Sequence, residues 1–159
     1  LLSNLDIGLR ESLSQEESIG LRDDGADGVI IRWEIGSSHI TFAGANMPIL
    51  IQKGLEINEI KGVRQSLGYR KSKNISDFID NKVEINDQTR LYIFTDGVLD
   101  EGRETDGIAY GRKRLMSFLS RYADVSLSKL GEHLKNELDN WRNNRARRDD
   151  LTFVSIKPK

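Results

Sequence analysis

The sequence predicts an α+β fold in which antiparallel sheet is covered by helices. Apolar, β-branched runs crowd the first part of the chain at residues 29–35, 39–43 and 49–52, while two helical patterns, residues 111–122 and 126–143, are gathered toward its end. No regular strand-helix-strand alternation links them, which argues against a parallel sheet.

Leu2, Leu5, Leu9 and Leu13 recur at spacings of three and four, so an amphipathic helix is expected from Leu1 to about Glu17. Arg22-Asp23-Asp24-Gly25-Ala26-Asp27-Gly28 is turn material, in which Asp27 reads as a turn residue rather than a ligand. Val29 to Ile35 and His39 to Ala43 read as two strands joined by Gly36-Ser37-Ser38, a hairpin. After the break at Gly44-Ala45-Asn46-Met47-Pro48, Ile49 to Gln52 and a short run from Leu55 to Ile60 extend this to a meander of three or four antiparallel strands. Residues 61–80 are mixed in character and expected to be mostly loop. Strand propensity returns at 82–85 and peaks at 90–95. The later helix carries Leu127, Leu130, Leu134, Leu138 and Trp141 on one stripe, a pattern that core packing explains. Trp33 and Trp141 are expected to be buried or half-buried. Residues 151–156 form the closing strand, and neither an internal repeat nor a low-complexity linker is visible.

With 159 residues and 37% hydrophobic content, the chain is one domain's worth of sequence with enough apolar material for a core. Charges nearly cancel at a formal -1, so no global field selects nucleic acid or an anionic membrane. No run of eighteen apolar residues and no signal-peptide pattern occurs, so this segment is expected not to span a membrane and to be cytoplasmic. Cysteine is absent, which excludes disulfides, thiolate zinc sites and cysteine nucleophiles. His39 and His133 stand far apart, so a multi-histidine zinc site is excluded too. Chemistry must rest on carboxylates, hydroxyls, Lys or Arg.

Two strands carry carboxylates at an end. Leu91-Tyr92-Ile93-Phe94-Thr95 runs into Asp96-Gly97, and Asp149-Asp150 leads into Leu151-Thr152-Phe153-Val154-Ser155-Ile156. If the strands are neighbours, Asp96 and Asp149 converge, and hard ions such as Mg²⁺ and Mn²⁺ favour such oxygen ligands. Each motif has a plainer reading: Asp-Gly is a common turn dipeptide, and adjacent acids beside Arg145, Arg147 and Arg148 form an ordinary surface charge cluster. The dense acidity after the first motif, Asp100, Glu101, Glu104 and Asp106, favours a metal, although Val98 and Glu101 do not fit an EF-hand loop. Arg142, Arg145, Arg147 and Arg148 at a helix C-terminus suit the dipole and are expected to be solvated. A nucleic-acid-binding role for them would show as steep salt dependence.

Ile93-Phe94-Thr95-Asp96-Gly97-Val98 followed by acids, Tyr110-Gly111-Arg112 opening a helix, and Arg148-Asp149-Asp150-Leu151-Thr152 opening the last strand resemble the C-terminal half of the metal-dependent PPM (PP2C-like) serine/threonine phosphatases. Phe42-Ala43-Gly44-Ala45-Asn46-Met47-Pro48 and the Leu67-Gly68 turn are similar to the bacterial SpoIIE/RsbU branch. Residues 60–70, Ile60-Lys61-Gly62-Val63-Arg64-Gln65-Ser66-Leu67-Gly68-Tyr69-Arg70, look like its SiaA-type members. The resemblance runs from about Leu1 to Ile156. It implies an α/β sandwich of antiparallel sheets flanked by helices. The family's Gly-Asp-x-x-Asp and Asp-x-x-Gly-His-Gly segments have no counterpart here, so residues 1–159 are expected to be the C-terminal major part of a single domain lacking its first strands.

Residue by residue, the resemblance implies that Asp96 and Asp149 are metal ligands, that Asp150 supports them, and that Gly97 permits the turn. Asn46 stands where many relatives carry histidine. The implied activity is hydrolysis of phosphoserine or phosphothreonine by a metal-activated water, with two Mn²⁺ or Mg²⁺ ions and no catalytic side chain beyond the ligands. The implied substrate is a small phosphorylated STAS-type, anti-anti-sigma-like protein, with activity answering to an attached sensor domain or to helix movement and no nucleic-acid partner. The competing expectation is a non-catalytic regulatory or interaction module, because Asp96 and Asp149 alone leave too few protein oxygens for two metals. On either view this segment alone is expected to be inactive.

Overall fold

Leu2, Asp6 and Leu9 share one face of the first helix, and that face seeds the core of the chain's first compact unit. The computed structural model describes residues 1–13, 25–69, 78–147 and 149–158. These divide into a unit made of Leu1–Ile49 with Ile60–Asn86 and a second made of Leu50–Glu59 with Asp87–Pro158.

In the first unit, helix α1 (Leu2–Ser12) packs Leu2 and Leu9 with Ile30, Ala43, Ala45, Val63, Leu67 and Phe78. Leu5 and Leu13, expected on the inner stripe, are each 43% exposed. Their place is taken by Asp6, which is fully buried because its carboxylate accepts from Arg10 Nη2 at 2.7 Å and from the Gly68 backbone N–H at 2.7 Å. A buried carboxylate persists only when so satisfied. Residues 14–17 of the expected helix lie outside the described residues, as do Arg22, Asp23 and Asp24. Strands β1 (Gly28–Trp33) and β2 (His39–Ala45) form the expected antiparallel hairpin, turned at Gly36 with φ 81°. β2 also pairs antiparallel with β5 (Asn81–Glu84), giving the order β1-β2-β5. Trp33 is half-buried.

The meander stops at β2. Asn46 adopts φ 55°, a left-handed conformation that Asn tolerates well, and donates from Nδ2 to Asp27 Oδ2 at 2.9 Å. Asp27 Oδ1 accepts from Ser66, so Asp27 ties two loops rather than serving only its own turn. Gly44 and Gly62 lie so close that a Cβ on Gly44 would stand 2.2 Å from the Met47 carbonyl and 3.1 Å from the Gly62 Cα. The chain then leaves this sheet.

In the second unit, β3 (Ile49–Lys53) and β4 (Glu56–Ile60) turn at Gly54, φ 62°. β3 pairs antiparallel with β6 (Thr89–Phe94), and β6 with β7 (Phe153–Ile156), giving the order β4-β3-β6-β7. A one-turn helix α2 (Asp96–Leu99) follows β6, and α3 (Gly111–Arg121) and α4 (Leu127–Arg142) supply the helical cover. Leu130, Leu134 and Leu138 of α4 are buried against Leu50, Tyr92, Phe94, Val98, Leu115, Phe118 and Leu119, with Leu127 and Trp141 at the margin, as the stripe predicts. Polar groups stitch sheet to helices: Gln52 Nε2 donates to the Leu119 carbonyl at 3.2 Å, and Arg90 Nη1 to the Val125 carbonyl at 2.7 Å. Tyr92 donates to Gln52 Oε1, and burial raises its phenol pKa.

The expected α+β class with antiparallel sheets and helices therefore holds. Among the described residues, no helix is long and apolar enough to cross a membrane.

Candidate metal centre

The β6–β7 ladder ends at the pair Phe94↔Phe153, two residues later than the start of the predicted closing strand. Just beyond it the chain changes partners. Thr95 N–H still donates to the Thr152 carbonyl at 3.1 Å, but the Thr95 carbonyl turns to accept Val98 N–H at 3.1 Å and so opens α2. The vacated acceptor position is filled by the Thr95 hydroxyl, whose Oγ1 accepts Thr152 N–H at 3.0 Å and donates to the Asp150 carbonyl at 3.2 Å. One side chain thus continues the ladder for one more pair and anchors the segment carrying Asp149 and Asp150 beside the start of α2. The motif Thr95-Asp96-Gly97 contains it, but nothing in the sequence assigns Thr95 this part.

Gly97 completes the apposition. A Cβ there would lie 2.3 Å from the Asp150 carbonyl oxygen and 3.6 Å from Asp149 Cβ. Its φ is not left-handed, and the feature that requires glycine here is the close backbone approach. The segments that carry Asp96 and Asp149, 53 positions apart in sequence, thus meet beyond the paired ends of β6 and β7. Asp96 and Asp149 are both exposed, as is Asp150.

Each of the two carboxylates is locally oriented. Asp96 Oδ1 accepts the Gly97 N–H at 3.0 Å, and Asp149 Oδ1 accepts the Asp150 N–H at 2.7 Å. Neither makes an ion pair among the described residues. Oriented, unpaired, solvent-facing carboxylates fit a hard divalent cation in kind. They do not fit it in number: among the described residues, no group of three or more acidic, His or Cys side chains is placed to hold an ion.

Three of the four acids that follow Asp96 are engaged elsewhere, while Asp100 is exposed at the end of α2. Glu101 is only 4% exposed and pairs with Arg147 Nε at 3.1 Å, Asp106 pairs with Arg103, and Glu104 accepts Asn143 Nδ2. The bidentate Arg103 guanidinium holds the Asp106 carboxyl below its usual range. These acids close a loop. The basic residues at the end of α4 are correspondingly engaged rather than solvated: Arg142 reaches Asp139 at 3.0 Å and the Arg145 carbonyl at 2.7 Å, and Arg145 donates to the Arg103 carbonyl at 3.0 Å. Arg148 lies outside the described residues. Trp141 donates to the Ile108 carbonyl at 3.2 Å, sits edge-on to Tyr110, and is flanked by the guanidinium groups of Arg103 and Arg114.

The family model for Stage II sporulation protein E (SpoIIE) matches residues 1–159. The SiaA-PP2C domain of Pseudomonas aeruginosa superposes with a TM-score of 0.82 at 25% identity, covering 96% of this chain and 57% of that one. The phosphatase domain of the cell fate determinant SpoIIE from Bacillus subtilis, in a form described as Mn presoaked, superposes at 0.60 with 13% identity, covering 97% and 71%. RsbX in complex with magnesium gives 0.60 and 15% identity, covering 97% and 61%. No curated protein sequence matches significantly. The chain thus spans little more than half the length of the SiaA-PP2C chain. The family match along all 159 residues, together with the shared fold, identifies it: the chain belongs to the SpoIIE family of PP2C-like phosphatase domains.

Proposed function

We propose that the full-length protein is a metal-dependent protein phosphatase acting on phosphoserine or phosphothreonine, and that this chain is the C-terminal major part of its single PPM/SpoIIE-type domain. The observation that carries the reading is the apposition of the Asp96 and Asp149 segments through Thr95 and Gly97. In this reading Asp96 and Asp149 are metal ligands, and Asp150 supports them through its main chain. The cofactors are two Mn²⁺ or Mg²⁺ ions, a choice supported by the oxygen donors and by the magnesium and manganese named for RsbX and the SpoIIE phosphatase domain. The remaining ligands come from water and from the rest of the full-length domain. The chemistry that such ions supply when bound is activation of water and neutralisation of phosphate charge. This chain's own residues orient the two carboxylates, and the one-residue extension of the ladder keeps them from drifting apart.

The proposed substrate is a small phosphorylated STAS-type regulatory protein, and a cytoplasmic site of action follows from that substrate class. Support comes from the regulatory phosphatase domains among the similar structures, such as the cell fate determinant SpoIIE. The test is Mn²⁺-dependent release of phosphate from a phosphoprotein and from a chromogenic phosphate ester by the full-length protein. Release that is abolished by chelation supports the reading, and metal-independent release or none contradicts it. The shortage of acids among the described residues favours a second reading, a non-catalytic regulatory module, which predicts partner binding without turnover in the same assay.

A further inference from the structure

One loop of the second unit follows the helix that Asp96 opens and another carries Asp149, and each is tied to the other by side chains that neither motif includes. The first, residues 100–110, follows α2 and so follows Asp96. The second runs from Asn143, just after α4, toward β7 and carries Asp149 and Asp150, Arg148 lying outside the described residues. Arg147, two positions before Asp149, donates from Nε to Glu101, five positions after Asp96, at 3.1 Å. The same guanidinium reaches Asp139 Oδ1 through Nη2 at 3.2 Å. The Glu101 side chain is only 2% exposed, whereas that of Arg147 is 38% exposed, so the carboxylate is the buried partner and the arginine closes over it. Arg145 makes a second tie, donating to the Arg103 carbonyl at 3.0 Å. Its guanidinium occupies the space in front of Gly102 and Gly107, where added Cβ atoms would come within 3.2 and 2.9 Å of Nη1. Asn143, in a left-handed conformation at the end of α4, donates to Glu104 and completes the set.

A buried carboxylate with its ion partner removed is strongly unfavourable, so the Glu101–Arg147 pair fixes the spacing of the two loops rather than merely decorating them. Surface pairs in the same unit, such as Arg121 with Glu137, have no such leverage. We infer that Arg147, through Glu101, is a positioning residue for Asp149, latching its loop to the loop that follows Asp96 and thereby setting the affinity of the centre for a divalent ion. The inference rests on the proposed assignment of Asp149 as a ligand. It asks of Arg147 what groups behind metal ligands commonly do, where substitution lowers affinity by about 10- to 100-fold.

The experiment uses the full-length protein and its Arg147→Gln, Glu101→Gln, double and Arg121→Gln variants. Mn²⁺ affinity is measured by calorimetric titration, and backbone hydrogen exchange at Asp150 and Thr152 is measured without metal. Arg147→Gln is expected to weaken Mn²⁺ binding about tenfold or more and to accelerate exchange at those two amides about tenfold relative to α3 and α4. The double variant should be no weaker than the worse single one, and Arg121→Gln should match wild type. Unchanged affinity and unchanged exchange in Arg147→Gln overturn the latch. If the wild type binds no Mn²⁺, the proposed metal centre fails while the exchange result still decides whether the latch exists. Faster exchange throughout α3 and α4 would also overturn it, by reducing Arg147 to a general stabiliser.

Discussion

The hydroxyl of Thr95 donates to the carbonyl of Asp150 at 3.2 Å while accepting the N–H of Thr152 at 3.0 Å, so one side chain stands in for a backbone carbonyl that has turned away to start α2. The ladder between the two acid-bearing strand ends therefore runs one pair past the last β bridge. Thr95→Val keeps the shape and removes both bonds, leaving the Thr152 N–H without its acceptor. Both bonds are solvent-exposed, so the variant should be destabilised by about 0.5–1.5 kcal/mol in urea unfolding. A midpoint equal to that of wild type would show that water replaces the hydroxyl without loss.

Gly97 offers a test in which two effects have opposite signs. Ala is a better helix former than Gly by about 1 kcal/mol, so propensity alone predicts that Gly97→Ala stabilises α2. The added Cβ would instead meet the Asp150 carbonyl at 2.3 Å, and this backbone contact cannot be relieved by a side-chain rotation. The clash should win. Thermal unfolding is expected to show a net loss of about 1–3 kcal/mol, typical of overpacking. A raised melting temperature would contradict the close approach.

Leu134 is 1% exposed at the centre of the α4 stripe. Leu134→Ala removes packing against the helix and sheet residues of the second unit and should cost about 2–5 kcal/mol by urea denaturation.

The hydrogen bonds from Lys135 and then Arg142 hold the Asp139 carboxyl below its usual range near 3.8. A depressed folded-state value means that the ionised carboxylate contributes stability above the unfolded-state pKa and loses it as pH falls through the folded value. The stability difference between wild type and Asp139→Asn should thus be constant from neutral pH down to the ordinary carboxylate range and vanish below it. Its size should stay under about 1 kcal/mol, since the carboxylate is partly exposed and its partners reach solvent. Denaturation measured across the acid range checks both sign and window.

The legible parts of this fold are those in which one chemical signal dominates. The leucines of α4 lie at helical spacing with no polar competitor on the same face, and they are buried as the spacing predicts. The α1 stripe misled because Asp6, polar by type, is paid for by Arg10 and the Gly68 amide, a partner 62 positions away that periodicity cannot register. The change of sheet between β2 and β3 was hidden for a similar reason. A Gly-Ala-Asn-Met-Pro break marks an interruption but carries no information about which strand the next one will join, and β3 joins β6, some 40 positions later in the chain. At the acid-bearing corner the meeting of the segments that carry Asp96 and Asp149 followed from strand propensity and chain order. Thr95, Glu101 and Arg147 were not readable in the same way, because their parts depend on which carbonyl has turned and which carboxylate is buried.

The shared role of Asp96 and Asp149 as ligands of one centre is the central proposal. Its test is a calorimetric Mn²⁺ titration of the full-length protein beside Asp96→Asn and Asp149→Asn, with unfolding curves to confirm that each variant folds. Removing either anionic ligand should weaken binding at least about tenfold, since hard-ion affinity is tuned by the number of charged oxygens. Two folded variants that bind Mn²⁺ as tightly as wild type would contradict the account.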